Sequence, residues 1–367
     1  MSHPWQVCIP GRLSRRGEGL GNELVPWAKA FLASRALDLR LRPKTWGLNR
    51  RGYRHQFRTA RSDWLWEAAQ CAILPRVEFT AEDYQQTGII DYGMAIKSWA
   101  ERTGLRSRRC FALVTGGMFG GYLAIRQARD FLTSQLLASR DALGNLHELR
   151  QGCPNGHALV AVHIRLGDFA PAGVAQNQRT RFNTSLPLAW YARICRNLQR
   201  SLHGRVRFAI FTDSWTPEVL DLVDELSAVT SRHQRHAACS DLLLMAASDC
   251  LVCSVSSFSL SAAFLGDQPY LWYEPQLGLA AGTYSLWGHE PWQQEPESPT
   301  MRNRRTLLAQ DVAPPSQGRG VPVGTDGTLP DTLIGRIRSR VEARRIHDDM
   351  IFYGDIPAPV TSNKGIP

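Results

Sequence analysis

Apolar positions fall into short runs separated by polar and glycine-bearing stretches, and their spacing predicts the elements. Val7-Cys8-Ile9 reads as a first strand, followed by a Gly- and Arg-rich loop from Gly11 to Asn22. Leu24, Trp27, Ala28, Phe31 and Leu32 then repeat at i, i+3, i+4, i+7 and i+8, the stripe of an amphipathic helix with one buried face. Asn22 suits its N-cap, and Pro26 is placed in its first turn, where no intrahelical bond is lost. Residues 63–150 read as mostly helical with short apolar runs. Strands and helices alternate more clearly afterwards. Strands are predicted at Leu159–Ile164, Arg205–Phe211, Cys250–Cys253 and Pro269–Tyr273, with helices at Leu188–Leu202, Pro217–Leu226, Leu242–Ala247 (capped by Asp241) and Leu260–Leu265. Pro314 to Pro330 reads as a Gly/Pro-rich loop, Leu333, Ile337 and Val341 mark a last amphipathic helix, and Ile356–Pro367 a frayed end.

Alternating strands and helices imply an α/β fold with parallel sheets covered by helices, in Rossmann-like units. The breaker cluster Gln151-Gly152-Cys153-Pro154-Asn155-Gly156 sets the preferred boundary. The expected organisation is an N-terminal domain over 1–155, a second over 156–290, and a C-terminal extension over 291–367.

Composition narrows the class. With 43% apolar and 21% charged residues, 367 residues suffice for two buried cores. No apolar run approaches the ~20 residues of a membrane-spanning helix, and Met1–Trp5 lack a charged segment followed by an apolar run. Eight cysteines are too sparse for a disulfide scaffold, so a cytoplasmic location is expected, with peripheral membrane contact left open. The net charge of +10 favours anionic partners. Arginines crowd residues 40–61, at 40, 42, 50, 51, 54, 58 and 61, with Trp46, Tyr53 and Phe57 between them.

Ligands of open parallel sheets sit beyond the carboxyl ends of the strands. Three polar sets stand there: His163/Arg165/Asp168, Thr212/Asp213, and Ser256/Ser257/Ser259. An arginine directly after a buried strand is costly unless an anion or a carboxylate meets it, and its planar fork suits phosphate oxygens. The alternative partner is Asp168, three residues on, and both arrangements can coexist. Asp213 suits a ribose or base N–H, or a helix cap; the serines suit phosphate, or ordinary capping. Cys250-x-x-Cys253 alternates like a buried strand and reads as structural, and no second CxxC or paired-His set completes a metal site. No Walker loop and no Gly-x-Ser-x-Gly elbow occurs.

Taken together these pieces resemble a known family. His163-Ile164-Arg165-Leu166-Gly167-Asp168 resembles the His-x-Arg-x-Gly/x-Asp motif of the GDP-fucose-dependent fucosyltransferases, the α-1,2, α-1,6 and protein O-fucosyltransferase superfamily. Phe211-Thr212-Asp213 resembles the second motif. The stretch from Asp241 to Cys250, with Ser256-Ser257-Phe258-Ser259 and Ala262–Gly266, resembles the third. Gly19-Leu20-Gly21-Asn22 is similar to the N-terminal Gly-Asn loop. The chain departs from the pattern at Leu166, where a second arginine is common, and at Glu23, where Gln is usual.

The resemblance implies a GT-B-like architecture, two Rossmann-like domains with parallel sheets facing a central cleft. It implies metal-independent, inverting transfer of fucose from GDP-fucose to a glycan hydroxyl, with no cofactor beyond the donor substrate. Arg165 would hold the β-phosphate and stabilise the leaving diphosphate. Thr212 or Asp213 would meet the nucleoside end, Ser256–Ser259 the phosphates, and Gly21 and Asn22 would approach from the other domain. His163, Gly167, Asp241, Ser257 and Phe258 carry over as binding positions. Glu23 is the first candidate base and Asp168 the reserve. The rival readings are a non-catalytic nucleotide-sugar binder and a basic nucleic-acid-binding protein using residues 40–61; nucleic acid is not the expected partner.

Overall fold

The computed structural model describes residues 5–11, 19–42, 56–57, 61–169, 185–277, 319–346, 350–353 and 356–359. The chain forms two compact units, the first within Met1–Arg140 and the second beginning at Asp141. Both are α/β, and the main sheet of each is entirely parallel.

The first unit runs β1 (Gln6–Pro10), α1 (Leu20–Leu37), β2 (Arg40–Leu41), α2 (Arg61–Ile73), β3 (Arg76–Phe79), α3 (Ala81–Thr87), α4 (Tyr92–Arg102), β4 (Phe111–Thr115), α5 (Gly121–Ala124) and α6 (Arg129–Leu137). Its sheet has the order β2-β1-β4-β3. The expectation of a mostly helical 63–150 is corrected by β3 and β4. β4 is buried on both faces, and a short run such as Phe111-Ala112-Leu113-Val114 has no period-2 signature to separate it from a helical segment. α1 is also larger than expected. It begins at Leu20 with Gly19 as its N-cap, so Asn22 lies inside the first turn and Pro26 within the helix. Packed against β1, β4, α4 and α6, α1 buries residues on nearly every side rather than along one stripe.

The second unit contains α7 (Ala142–Gln151), β5 (Ala158–Ile164), α8 (Leu188–Ser201), β6 (Val206–Thr212), α9 (Pro217–Leu226), β7 (Val229–Thr230), α10 (Ala237–Ala247), β8 (Cys250–Val252), α11 (Ser257–Leu265), β9 (Tyr270–Tyr273), α12 (Glu274–Leu277), β10 (Gly320–Val323), α13 (Asp331–Ile346), β11 (Met350–Tyr353) and β12 (Ile356–Pro359). Helix α7 packs on α10, and the Gln151–Gly156 breaker cluster follows it inside this unit. The six-stranded sheet has the order β10-β9-β8-β5-β6-β7. Its core is the continuous apolar face of β5, β6 and β8 with Trp190, Ile194 and Leu198 of α8 and Leu333 and Ile337 of α13. Two loop expectations are corrected. β10 lies inside the Gly/Pro-rich stretch and extends the sheet beside β9, and the expected frayed end includes β12, paired antiparallel with β11.

The strand order places the candidate site. From β5 the chain moves one way to β6 and β7, then returns to the other side of β5 with β8, β9 and β10. Crossover connections therefore leave β5 and β8 in opposite directions, and the carboxyl ends of these neighbours flank a topological switch point, where open parallel sheets bind ligands.

Candidate active site in the second unit

β5 ends in His163-Ile164 and delivers Arg165 to that crevice. The guanidinium is forked between two carboxylates: Nη2 lies 2.5 Å from Asp168 Oδ1 and Nη1 lies 3.0 Å from Asp213 Oδ2. The two partners differ in character. The Asp168 side chain is 66% exposed and can swing into solvent, whereas Asp213 is 25% exposed and its Oδ1 also accepts the Leu166 backbone N–H at 2.9 Å. Gly167 is required beside it, since a Cβ there would overlap Asp213 Oδ2. The Phe169 ring lies 5.3 Å from the guanidinium carbon. Asp213 therefore anchors Arg165, while Asp168 is the exchangeable arm. Both Asp213 oxygens are engaged within the loop, one by Arg165 and one by the Leu166 N–H. Thr212 closes its own turn, its Oγ1 accepting the Ser214 N–H and donating to the Ser214 carbonyl, both at 3.1 Å.

Below Arg165 lies a buried polar knot. His163 Nδ1 is 2.6 Å from Ser259 Oγ and 3.0 Å from Ser254 Oγ, and the Ser254 N–H donates to Ser259 Oγ at 3.2 Å. Burial, and then the nearby Arg165 charge, lower the His163 pKa to about 3 against an opposing pull from Asp213. The imidazole is therefore neutral, a hydrogen-bonding strut between β5 and the β8–α11 turn. It sits beneath the crevice, only 4% exposed, rather than in it. Phe258 packs against its ring at 5.3 Å.

α11 starts at Ser257, three residues earlier than its hydrophobic pattern suggests, because Ser256 caps it by accepting the Phe258 N–H at 3.1 Å. Ser257 and Ser259 are thus helical, Ser259 buried. The amino end of α11 follows the carboxyl end of β8, giving the positive end of a helix dipole beside the Arg165 loop. The structure gathers Arg165, Gly167, Asp168 and Asp213 in one cluster and ties His163 to Ser259 in a hydrogen-bonded knot. Ser254, which sequence reasoning passed over, belongs to the His163–Ser259 knot; its signal was a serine following the buried Cys250–Cys253 run.

Asp241 is elsewhere. It lies in the interior of α10 rather than capping a helix start, with Oδ1 buried and without a hydrogen-bond partner. Burial raises its pKa to about 7, opposed by a hydrogen bond from Ser231. An acid with a raised folded-state pKa contributes stability while protonated, and loses it as pH rises from about 4 through 7. Asp241→Asn is therefore expected to be more stable than wild type at pH 8 in urea unfolding, with the gap closing towards pH 4. The Cys250/Cys253 pair is buried, burial pushing the Cys250 thiol up to about 12 and Cys253 well above its usual value, which makes both poor nucleophiles.

In the first unit, Gly21, Asn22 and Glu23 occupy the first turn of α1, with the Asn22 and Glu23 N–H groups donating to the Gly19 carbonyl. Gly11 closes the end of β1 against β4, its N–H donating to the Thr115 carbonyl at 2.6 Å, and a Cβ there would meet Gly116 Cα. Sequence reasoning missed Lys29. It is fully buried in α1, donates to the carbonyls of Gly117 (2.9 Å) and Gly116 (3.3 Å), and lies over the Phe119 ring. It fixes the glycine loop after β4. Of the Arg/aromatic stretch, Arg42 is buried against Gln70 and Phe57 packs on Trp27, so these two face the core. Residues 43–55 and 58–60, including Trp46 and Tyr53, lie outside the described residues.

Among the described residues, no group of three or more His, Cys, Asp or Glu is gathered at a metal-sized site, and no helix is long and apolar enough to cross a membrane. No protein-family model and no curated protein matches this sequence. Among solved structures the chain is similar to an α-1,6-fucosyltransferase, NodZ, soaked with GDP-fucose: TM-score 0.37, 14% identity, 71% of this chain and 93% of that one covered. It is similar to the fucosyltransferase NodZ from Bradyrhizobium at TM-score 0.37 and 14% identity, covering 70% and 92%. Likeness to the wall teichoic acid polymerase TagF is lower, at TM-score 0.27 and 16% identity over 60% of this chain and 42% of that one. At such scores the likeness carries nothing about chemistry, and the site must be judged on its own residues.

Proposed function

We propose that the chain is a glycosyltransferase that takes a nucleoside-diphosphate sugar in the second unit, with GDP-fucose as the donor and a glycan hydroxyl as the acceptor, and inverts the anomeric centre. The observation that carries this reading is Arg165, held at the switch point by a partly covered Asp213 and a more exposed Asp168 beside the amino end of α11. Cleaving a glycosyl–phosphate bond places negative charge on the departing diphosphate. A preorganised guanidinium and helix-end N–H groups stabilise that charge without the solvent reorganisation water would need. The resting Arg165–Asp168 pair predicts an exchange: the diphosphate displaces the exposed Asp168 and keeps Asp213 as the anchor. The acceptor proton then passes to a carboxylate, with Glu23 first and the released Asp168 in reserve. Donor identity comes from the sequence resemblance, in which the motifs around Arg165, Asp213 and Ser256–Ser259 point to GDP and fucose.

Calorimetric titration with GDP, UDP, CDP and ADP, with and without added divalent cation, tests it. GDP is expected to bind at least tenfold more tightly than the others, with no dependence on metal. Equal affinity for all four would remove the guanosine assignment, and absence of binding the site itself. Hydrolysis of GDP-fucose separates an enzyme from a binder that performs no transfer.

A further inference from the structure

We infer that the outer face of α2 and the amino edge of the first unit's sheet form a docking surface for a negatively charged lipid bilayer. Helix α2 is apolar on two sides. Inward, Cys71, with Leu74 just beyond the helix, packs among Val7, Ile9 and Ala112. Outward, Leu65, Trp66, Ala69, Ala72 and Ile73 recur at i, i+1, i+4, i+7 and i+8, a stripe covering about a third of the helix circumference. Ala69 is half-buried and the other four are exposed, Trp66 at 58% and Ile73 at 75%. Trp5, itself exposed, meets Trp66 edge-on with ring centroids 6.5 Å apart, so the stripe continues to the start of β1. A contiguous exposed patch of this kind marks a surface that meets a membrane or another molecule.

Positive charge lies beside it. β4 runs between β1 and β3, with the Trp5 carbonyl accepting the Phe111 N–H at 3.0 Å and the Pro75 carbonyl accepting the Ala112 N–H at 2.8 Å. The segment entering β4 therefore passes between Trp5 and the end of α2, and it carries Arg106, Arg108 and Arg109. Gln6 Nε2 donates to the Arg108 carbonyl at 2.6 Å and holds this segment against β1. Arg76 opens β3 directly after Pro75. All four arginines are exposed, and the ion pairs among the described residues lie elsewhere, at Arg165, Arg196 and His236. The exposed carboxylates nearest to them in sequence are Glu78 and Glu101.

The combination selects the occupant. Tryptophan and aliphatic side chains enter the boundary between headgroups and acyl chains, while arginine forks meet lipid phosphates, so an anionic bilayer answers both halves of the surface. A second copy answers only one. A two-fold contact through α2 sets the same face against itself and brings two sets of these arginines together, in a chain whose net charge is already +10. The surface lies in the first unit and shares no residue with the Arg165 cluster, so the inference stands apart from the proposed activity.

Sedimentation of the full chain with vesicles tests this, using phosphatidylcholine alone and phosphatidylcholine mixed equally with phosphatidylglycerol. Binding to the mixed vesicles is expected to be at least tenfold tighter, and to weaken as salt rises from about 0.1 M to about 0.5 M. Trp66→Ser with Ile73→Ser should weaken it at least tenfold, and so should Arg108→Glu with Arg109→Glu. Arg232→Glu with Arg235→Glu makes the same change of charge at exposed arginines of the second unit and should leave binding unchanged. All of these positions are exposed, and thermal melts check the fold; if the tryptophan pair fails to fold, the two arginine pairs carry the test. Absence of binding to the mixed vesicles overturns the inference, as does binding that survives either pair of changes in the first unit or falls equally in the second-unit control. A dimer in sedimentation velocity that Trp66→Ser with Ile73→Ser disperses, without vesicle binding, gives the face to a second copy and overturns it too.

Discussion

Arg165→Ala is expected to lower kcat for transfer from GDP-fucose by about 10²–10³ or more, the usual cost of removing a preorganised donor to developing negative charge. KM for the donor should rise as well, because the same guanidinium meets the diphosphate in the ground state. The fold should survive: Arg165 emerges at the end of β5 with about a quarter of its side chain exposed, and water can reach the vacated space. Asp168 and Asp213 would then face each other without their shared cation, so a small drop in thermal midpoint is part of the expectation. Arg165→Lys separates charge from geometry. An ammonium keeps the positive charge but cannot fork between Asp213 and a phosphate oxygen, so it should recover only part of the lost rate. Unchanged turnover in Arg165→Ala, measured with a thermal melt showing an intact fold, would refute the proposed role.

The second large effect is a pH dependence of stability centred on His163. Its folded-state pKa is about 3, mainly through burial, against about 6.5 for an exposed histidine. Below pH 6.5 the unfolded chain therefore binds a proton that the folded chain refuses, and stability falls with falling pH. The contribution is fully present above about pH 7 and is lost progressively down to about pH 3. Between pH 7 and pH 5 this one residue should remove about 2 kcal/mol. Urea unfolding of wild type and His163→Asn at several pH values reads it. Asn cannot take up a proton, so the variant, whatever its stability at pH 7, should lose about 2 kcal/mol less across that interval. Equal slopes would mean that the imidazole is not held neutral by its surroundings. Because His163 ties β5 to Ser254 and Ser259, acid should also loosen the β8–α11 turn beside Arg165.

Much of the second unit was legible in the sequence. Its two long strands run into polar residues, Arg165 after β5 and Thr212-Asp213 at the end of β6, and its helices α8 and α9 carry apolar stripes that match the observed boundaries to within a residue or two. Arg165 stood out because an arginine after seven buried residues has to be answered by an anion or a carboxylate. The first unit was far less legible. β4 lacks alternation because both its faces are covered, β3 is a short edge strand, and α1 sits among so many elements that its apolar residues do not form a stripe. Lys29 gave no signal, since a buried lysine and a solvated one are written with the same letter. Glu23 and Arg165 lie in different units, and sequence proximity says nothing of either's surroundings.

Local chemistry determined the alternation of strands and helices, the punctuation by glycine and proline, and the polar residues at the strand ends, because each depends on neighbours within a few positions. Only the folded chain could decide that Asp213, 48 residues beyond Arg165, grips it while Asp168 remains exposed, that His163 supports the crevice from below, and that Trp5 meets Trp66 of a remote helix. Charge compensation and burial depend on distances that the chain sets only when remote strands pair, and those distances are what turn a list of polar residues into a site.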